Sequence, residues 1–95
     1  MPVGILTVQL ELAGCGSLKE KRGRLQPLLT RLQREFNISI AEVDFLDSWQ
    51  SALVACAVVS NNGRHNQRSL QQVVRWIEEN WPDVEVVDER IELLF

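Results

Sequence analysis

The feature that most constrains this 95-residue chain is the order in which two kinds of hydrophobic repeat follow one another. Alternation of apolar and polar residues, or a short apolar run, predicts a β-strand, and an apolar repeat of about 3.6 residues predicts an amphipathic helix. The strand pattern and the helix pattern occupy six segments, namely strands at 3–12, 38–45, 49–60 and 84–95 and helices at 17–36 and 64–81. The chain therefore predicts the order β-α-β-β-α-β.

This order predicts an α+β fold of the ferredoxin-like type, a four-stranded antiparallel sheet with two helices on one face. Segment 49–60 is almost entirely apolar, which favours a central strand. The second and fourth strands should then be edges, where their acidic residues discourage further pairing. The apolar phase of the fourth strand slips between Val86 and Val87, which predicts a β-bulge. The length favours a single domain over 1–95.

The first helix should begin with a capping box and should be distorted in its first half. Ser17 and Glu20 have the spacing at which each side chain satisfies the other's end of the first turn. Pro27 removes one helical hydrogen bond and crowds the carbonyl of Gly23, the most permissive residue type. We expect either a kink near Gly23 or a short first turn followed by a second helix that starts near Arg24.

Composition and hydropathy indicate an ordinary soluble protein. The chain is 45% apolar and 24% charged, which is typical of globular proteins. No apolar run in it approaches the length of a membrane-spanning helix. The first twelve residues alternate and carry no basic stretch, so we do not expect a signal peptide or a membrane partner. The expected compartment is the cytoplasm, where Cys15 and Cys56 should be free thiols.

Charge is separated along the chain, although the total is only -3. Six basic and two acidic residues give segment 17–36 a charge of +4, and one basic and seven acidic residues give segment 78–95 a charge of -6. Guanidinium and ammonium groups in a row can pair with phosphates, which would bind a nucleic acid by its backbone and not by DNA sequence. The candidates for such binding are Lys19, Lys21, Arg22, Arg24, Arg31, Arg34, Arg64 and Arg68. An ordinary solvated helix face is the alternative interpretation of the same charges.

A second surface is the sheet face that the helices leave open. The first strand offers no aromatic residue there, so stacking of bases on the sheet is not predicted. Apolar residues on that face could instead bind a partner protein or a second copy of the chain. The candidates for this interaction face are Ile5, Thr7, Ile38 and Ile40.

Support for catalysis or metal binding is weak. Cys15 stands alone in its loop, and His65, the only histidine, should lie at the other end of the sheet. Glu42 and Asp44 share a strand face in the predicted alternation and Asp47 follows, but protection of an edge strand is favoured over a cation site. No phosphate-binding loop or hydrolase motif is present. We therefore predict no catalytic residue, no metal and no cofactor, with a small-ligand binder or enzyme as a third class of function.

Four short segments carry a resemblance to a known family. The segments SLKEKR (17–22), AEVD (41–44), WQSA (49–52) and VVSN (58–61) resemble the YlxP-like family of small bacterial proteins, in the same order and over nearly the whole chain. The resemblance implies a ferredoxin-like fold and no assigned function. Genes of the family often stand beside those for translation initiation and ribosome maturation, which implies an association with RNA or the ribosome. Other members often carry a polar residue or His where this chain has Gly16, so a role for that side chain does not carry over.

Overall fold

The structure, a computed structural model, describes residues 2–94 and contains the predicted order of elements. The last residue of the predicted fourth strand, Phe95, and residue Met1 lie outside the described range. The strands and helices, in chain order, are β1 (Val3–Glu11), α1 (Leu18–Glu35), β2 (Ser39–Asp44), β3 (Ser51–Val59), α2 (Gly63–Asn80) and β4 (Glu85–Leu94). Neither of these two helices combines the length and the apolarity that a membrane crossing needs.

The four strands form one antiparallel sheet in the order β2-β3-β1-β4, so the ferredoxin-like prediction is confirmed. Alternate residues of β1 and β3, such as Leu6 and Cys56, are buried on the face that both helices cover. The intervening residues, such as Ile5 and Ala57, point to the open face and are half-buried. Periodicity of two therefore predicted the core face of β1 correctly, whereas the almost entirely apolar β3 showed its core face only in the structure.

Bulges interrupt both edge strands. On β4, Gln9 pairs with Asp88 and Leu10 pairs with Val86, which leaves Val87 as the extra residue and confirms the predicted bulge. A second register shift lies on β2, between Glu42 and Asp44. This shift was not predicted, and it moves the two carboxylates to opposite faces of the sheet. The expectation that Glu42 and Asp44 share a strand face is therefore wrong.

The first helix begins as predicted and continues without interruption. Ser17 Oγ accepts a hydrogen bond from the Glu20 N–H at 3.0 Å, and Glu20 Oε2 accepts one from the Gly16 N–H at 2.7 Å. The latter bond is one residue earlier than a strict capping box places it. Pro27 lies inside a single helix, so the alternative with a second helix starting near Arg24 is wrong. A kink near Gly23 stays a prediction.

The second helix approaches the sheet closely at its first turns. A Cβ atom added to Gly4 would lie 2.9 Å from Leu70 Cδ1 and 3.2 Å from Asn66 Cβ, so only glycine fits there without a shift. The buried Asn66 is satisfied by the Ser60 hydroxyl at 2.6 Å and by the Pro2 carbonyl at 3.4 Å. These contacts fix the start of α2 against β1.

Candidate nucleic-acid interface

Lys21 is not available to a ligand. Its side chain is only 2% exposed, its Nζ lies 2.7 Å from Glu42 Oε2, and it donates a hydrogen bond to the Phe45 carbonyl at 2.8 Å. Lys21 precedes Leu25 by one turn and Leu28 by two, so it lies on the buried face of α1. The prediction that Lys21 faces a phosphate is therefore wrong, and this lysine instead joins α1 to β2.

The loop that Lys21 holds has an unusual conformation. The backbone of Phe45 has a positive φ, in the left-handed region that non-glycine residues rarely occupy. Its N–H donates to Asp44 Oδ1 at 2.8 Å, and its carbonyl accepts from Lys21. The two hydrogen bonds compensate for the backbone strain. Of the three acidic cation candidates, Glu42 is paired with Lys21, Asp44 accepts the Phe45 N–H, and Asp47 is exposed.

Arg24 joins α1 to the two loops at its end of the molecule. Its Nε and Nη2 lie 2.9 and 3.0 Å from the two Asp83 carboxylate oxygens, and Nη1 donates to the Ala13 carbonyl at 2.9 Å. The pKa of Arg24 is raised because the guanidinium donates to this carboxylate. Only 20% of the side chain is exposed and four of its five N–H donors are occupied, so the prediction that Arg24 contacts phosphate is wrong.

Arg31 remains partly free. It forms an ion pair with Glu35 at 3.0 Å, and its guanidinium carbon lies 5.7 Å from the centre of the Trp76 ring. The latter contact is a cation–π geometry that restricts the side chain without neutralising it. Trp76 in turn stacks on Trp81, with ring centres 6.1 Å apart and planes inclined by 30°. Over half of the Arg31 side chain stays accessible to solvent.

Three arginines line one open groove of about 520 Å³ along α1. We call it the arginine groove, and its lining residues are Arg22, Gly23, Gln26, Pro27, Thr30, Arg31, Arg34 and Trp81. Arg22 and Arg34 are exposed and form no ion pair within the described chain. Gly23 and Pro27, the two residues that made this helix unusual in the sequence, present no long side chain and leave the groove recessed between the arginines.

The other basic candidates lie outside the arginine groove. Lys19 is exposed on the first turn of α1, and Arg64 and Arg68 are exposed on the first two turns of α2. The strands that precede the two helices are antiparallel, so α1 and α2 begin at opposite ends of the sheet. The structure therefore groups only Arg22, Arg31 and Arg34 of the eight basic candidates.

The four interaction-face candidates divide between the two sheet faces. Ile5 and Thr7 lie on the open face, as predicted. Ile40 pairs with Cys56, on the side that the helices cover, and both Ile38 and Ile40 pack against the core. Their assignment to the open face is wrong, because the phase of β2 follows its pairing with β3. An apolar row that was not predicted crosses the open face at Val59, Val3 and Leu94.

The two cysteines and His65 do not line the arginine groove. Both cysteines are free and buried, and burial raises the pKa of Cys56 to about 12, so its thiol is protonated at neutral pH. Cys15 follows β1 and His65 begins α2 after β3, at opposite ends of the sheet. Among residues 2–94, no three His, Cys, Asp or Glu side chains are grouped to hold a metal ion.

Sequence reasoning missed Trp76, Trp81 and Asp83 as partners of the basic helix. Asp83 is 59 residues from Arg24, and no local pattern relates the two. The tryptophans offered no separate signal, since both pack against the core as residues near the end of an amphipathic helix are expected to do. Their contact with Arg31 follows only from the packing of α2 beside α1.

The fold and the groove define a small ferredoxin-like protein that offers a cationic, aromatic-flanked groove. The chain belongs to the family described as "Protein of unknown function (DUF503)", whose match covers residues 3–91. It is also 36% identical over 83 residues to "Uncharacterized protein YlxP" of Bacillus subtilis (strain 168). That match covers 87% of this chain and 89% of the relative. The resemblance to YlxP-like proteins is thus confirmed.

Proposed function

We propose that this protein binds RNA, as a ribosome-associated factor without catalytic activity, through the arginine groove. The observation that supports this function is the grouping of Arg22, Arg31 and Arg34 along one face of α1 in a chain whose net charge is -3. A polyanion would be repelled by the molecule as a whole and attracted only where these cations are concentrated.

The chemistry of the groove suits phosphate. A guanidinium pairs with phosphate oxygens in a fixed two-pronged geometry. Arg22 and Arg34 have no internal ion-pair partner that would compete for it within the described chain. Such contacts bind the backbone of a nucleic acid and carry no base information by themselves. The association with translation genes that the family resemblance implies makes RNA the expected polyanion.

The test is co-sedimentation with ribosomal subunits, and with the extracted RNA, at low and moderate salt. We expect the double variant R22E/R34E to lose binding and to keep its melting temperature, since exposed charges contribute little to stability. The matched control is R64E/R68E, which makes the same change in net charge outside the groove. Equal loss in both variants would show that net charge governs the binding, and no binding of the unaltered protein would overturn the function.

Self-association through the open sheet face is a second candidate function. Val59 and Leu94 are 59% and 50% exposed, and each pairs with Val3, which makes an apolar row across three strands. A two-fold symmetric dimer would bury such a row against itself. Measurement of the mass in solution against concentration tests this candidate, and V59K should keep the protein monomeric if the row is the contact.

A further inference from the structure

We infer that the arginine groove takes a single-stranded stretch of RNA and that one base of it stacks on Trp81. This inference rests on the proposed function and names the form of RNA that the groove selects. Cationic grooves with an aromatic side chain are the usual architecture of proteins that bind single strands with little sequence preference.

Trp81 is positioned before any ligand arrives. It caps the C-terminus of α2, where its N–H donates to the Ile77 carbonyl at 2.9 Å, and its own carbonyl accepts from the Val84 N–H at 3.3 Å. Trp76, which does not line the groove, stacks on its indole. A ring fixed in this way loses little conformational freedom when a base covers it, and that favours binding.

The spacing of the arginines suits a short extended strand. Arg22 and Arg34 lie twelve positions apart on one helix. The helical rise therefore separates their backbones by about 18 Å along the axis. Arg31 lies between them along the axis and half a turn around the helix from Arg22, so these two arginines flank the groove. The contact of Arg31 with Trp76 holds it near the tryptophan pair. Three cations over that distance can pair with a few consecutive phosphates, and the indole lies within the same groove for a base between them.

A double helix would not use this site fully. Its bases stack on one another, and an A-form duplex presents only its backbone and shallow minor groove to a protein. Arg22 and Arg34 could contact such a backbone, but Trp81 could not receive a base from it. The only uncharged polar side chains in the groove, apart from the indole N–H, are those of Gln26 and Thr30, so little base selectivity is expected.

The experiment measures dissociation constants for oligouridylate of about ten nucleotides, within the roughly 4–16 nucleotides that single-strand sites cover. The matched ligands are a duplex RNA of the same length and oligothymidylate. We expect the single-stranded RNA to bind most tightly, with log K falling by about 2 per decade of salt, since three phosphate contacts contribute about 0.7 each. W81L should weaken binding about tenfold without a change in this salt slope.

Two controls separate stacking from damage to the fold. W81F keeps an aromatic ring and should stay within about threefold of the unaltered protein. W49L removes a tryptophan that is 52% exposed and does not line the groove, so it should have no effect. In W49F protein, the emission of the remaining tryptophans should be quenched by oligouridylate, which reports stacking without a change in the groove.

The outcomes distinguish the inference from the proposed function. Duplex RNA that binds as tightly as the single strand, with W81L unchanged and R22E/R34E inactive, would overturn stacking and leave RNA binding in place. Tighter binding of oligothymidylate would overturn RNA as the ligand and leave stacking in place. An unaltered protein that binds no oligonucleotide at low salt would overturn both.

Discussion

Lys21 and Arg22 are neighbours in the chain, and the molecule uses them in opposite ways. Lys21 is buried against Glu42 and the Phe45 carbonyl, whereas Arg22 is exposed and lines the arginine groove. Arg24 and Arg34 repeat the contrast, since Arg24 is held by Asp83 and Arg34 is unpaired within the described chain. A run of like charges in a sequence can therefore contain some residues that stabilise the fold and others that remain available to bind a ligand.

The largest effect that would break this contrast is expected from K21M. Removal of the ammonium leaves the Glu42 carboxylate without its counter-ion in a largely buried place, and loss of one partner of a buried pair typically costs about 3–5 kcal/mol. Only 19% of the Glu42 side chain is exposed. We therefore expect the free energy of unfolding to fall by about 3 kcal/mol, the lower end of that range, in chemical denaturation.

The matched control for K21M is R22M, which removes the neighbouring charge from the exposed side. We expect its unfolding free energy to stay within about 0.5 kcal/mol of the unaltered protein. K21M with E42Q removes both charges and should recover part of the lost stability. If K21M is as stable as R22M, Lys21 is not the structural cation that its contacts indicate.

A change at Pro27 tests whether the residues of α1 that line the arginine groove are needed for the stability of the fold. The alanine variant P27A restores a helical N–H and removes the ring's clash with the Gly23 carbonyl, which together are worth about 3 kcal/mol in a helix interior, and it gives back roughly 1 kcal/mol through a more flexible unfolded chain. Pro27 is exposed, so little packing is lost. We expect an increase of about 2 kcal/mol in unfolding free energy. A decrease would show that the proline is needed for the shape of the helix.

Arg24 should contribute less to the free energy of unfolding than Lys21 does, because its side chain is nearer to solvent. R24M breaks the two-pronged contact with Asp83 and the bond to the Ala13 carbonyl. We expect a loss of about 1 kcal/mol in thermal and chemical unfolding, since these hydrogen bonds are partly screened by water. The matched control is R34M, a change in the arginine groove that should leave the free energy of unfolding unchanged. R24M should also leave RNA binding nearly unchanged, and a large loss would place Arg24 among the binding residues.

The smallest effect concerns the acid side of the pH range. The pKa of Glu20 is lowered from 4.5 chiefly because its carboxylate accepts the Gly16 N–H. The stability from this bond is therefore complete above pH 4.5 and is lost as the pH falls through the lowered pKa. Below pH 4.5, the melting temperature of E20Q should fall less than that of the unaltered protein. The control is E78Q, a change on the exposed face of α2, whose melting temperature should fall as much as that of the unaltered protein.

The local patterns predicted more of the fold than of the site. The start of α1 at Ser17 and the extra residue Val87 could both be predicted, because a cap and a slip in phase involve only nearby residues. The β2 bulge could not, since the residues after Glu42 show no break in composition. That bulge turns Asp44 to the open face, whereas Glu42 stays in phase with Ile40 on the side that the helices cover. The partner of Lys21 could not be known from the sequence, because it depends on how α1 packs over β2.

The sequence by itself determined the order of the elements, the core face of β1 and the concentration of charge on α1. These properties follow from periodicity and composition, which act over a few residues. Only the tertiary structure decided which cations are held within the fold and which remain for a ligand. Phe45 and Asp83 lie 24 and 59 residues beyond Lys21 and Arg24, in loops whose positions depend on how the helices pack on the sheet. Helical spacing determines only the direction in which a side chain points. Whether that side chain is available to a ligand depends on the residues that surround it in the folded protein.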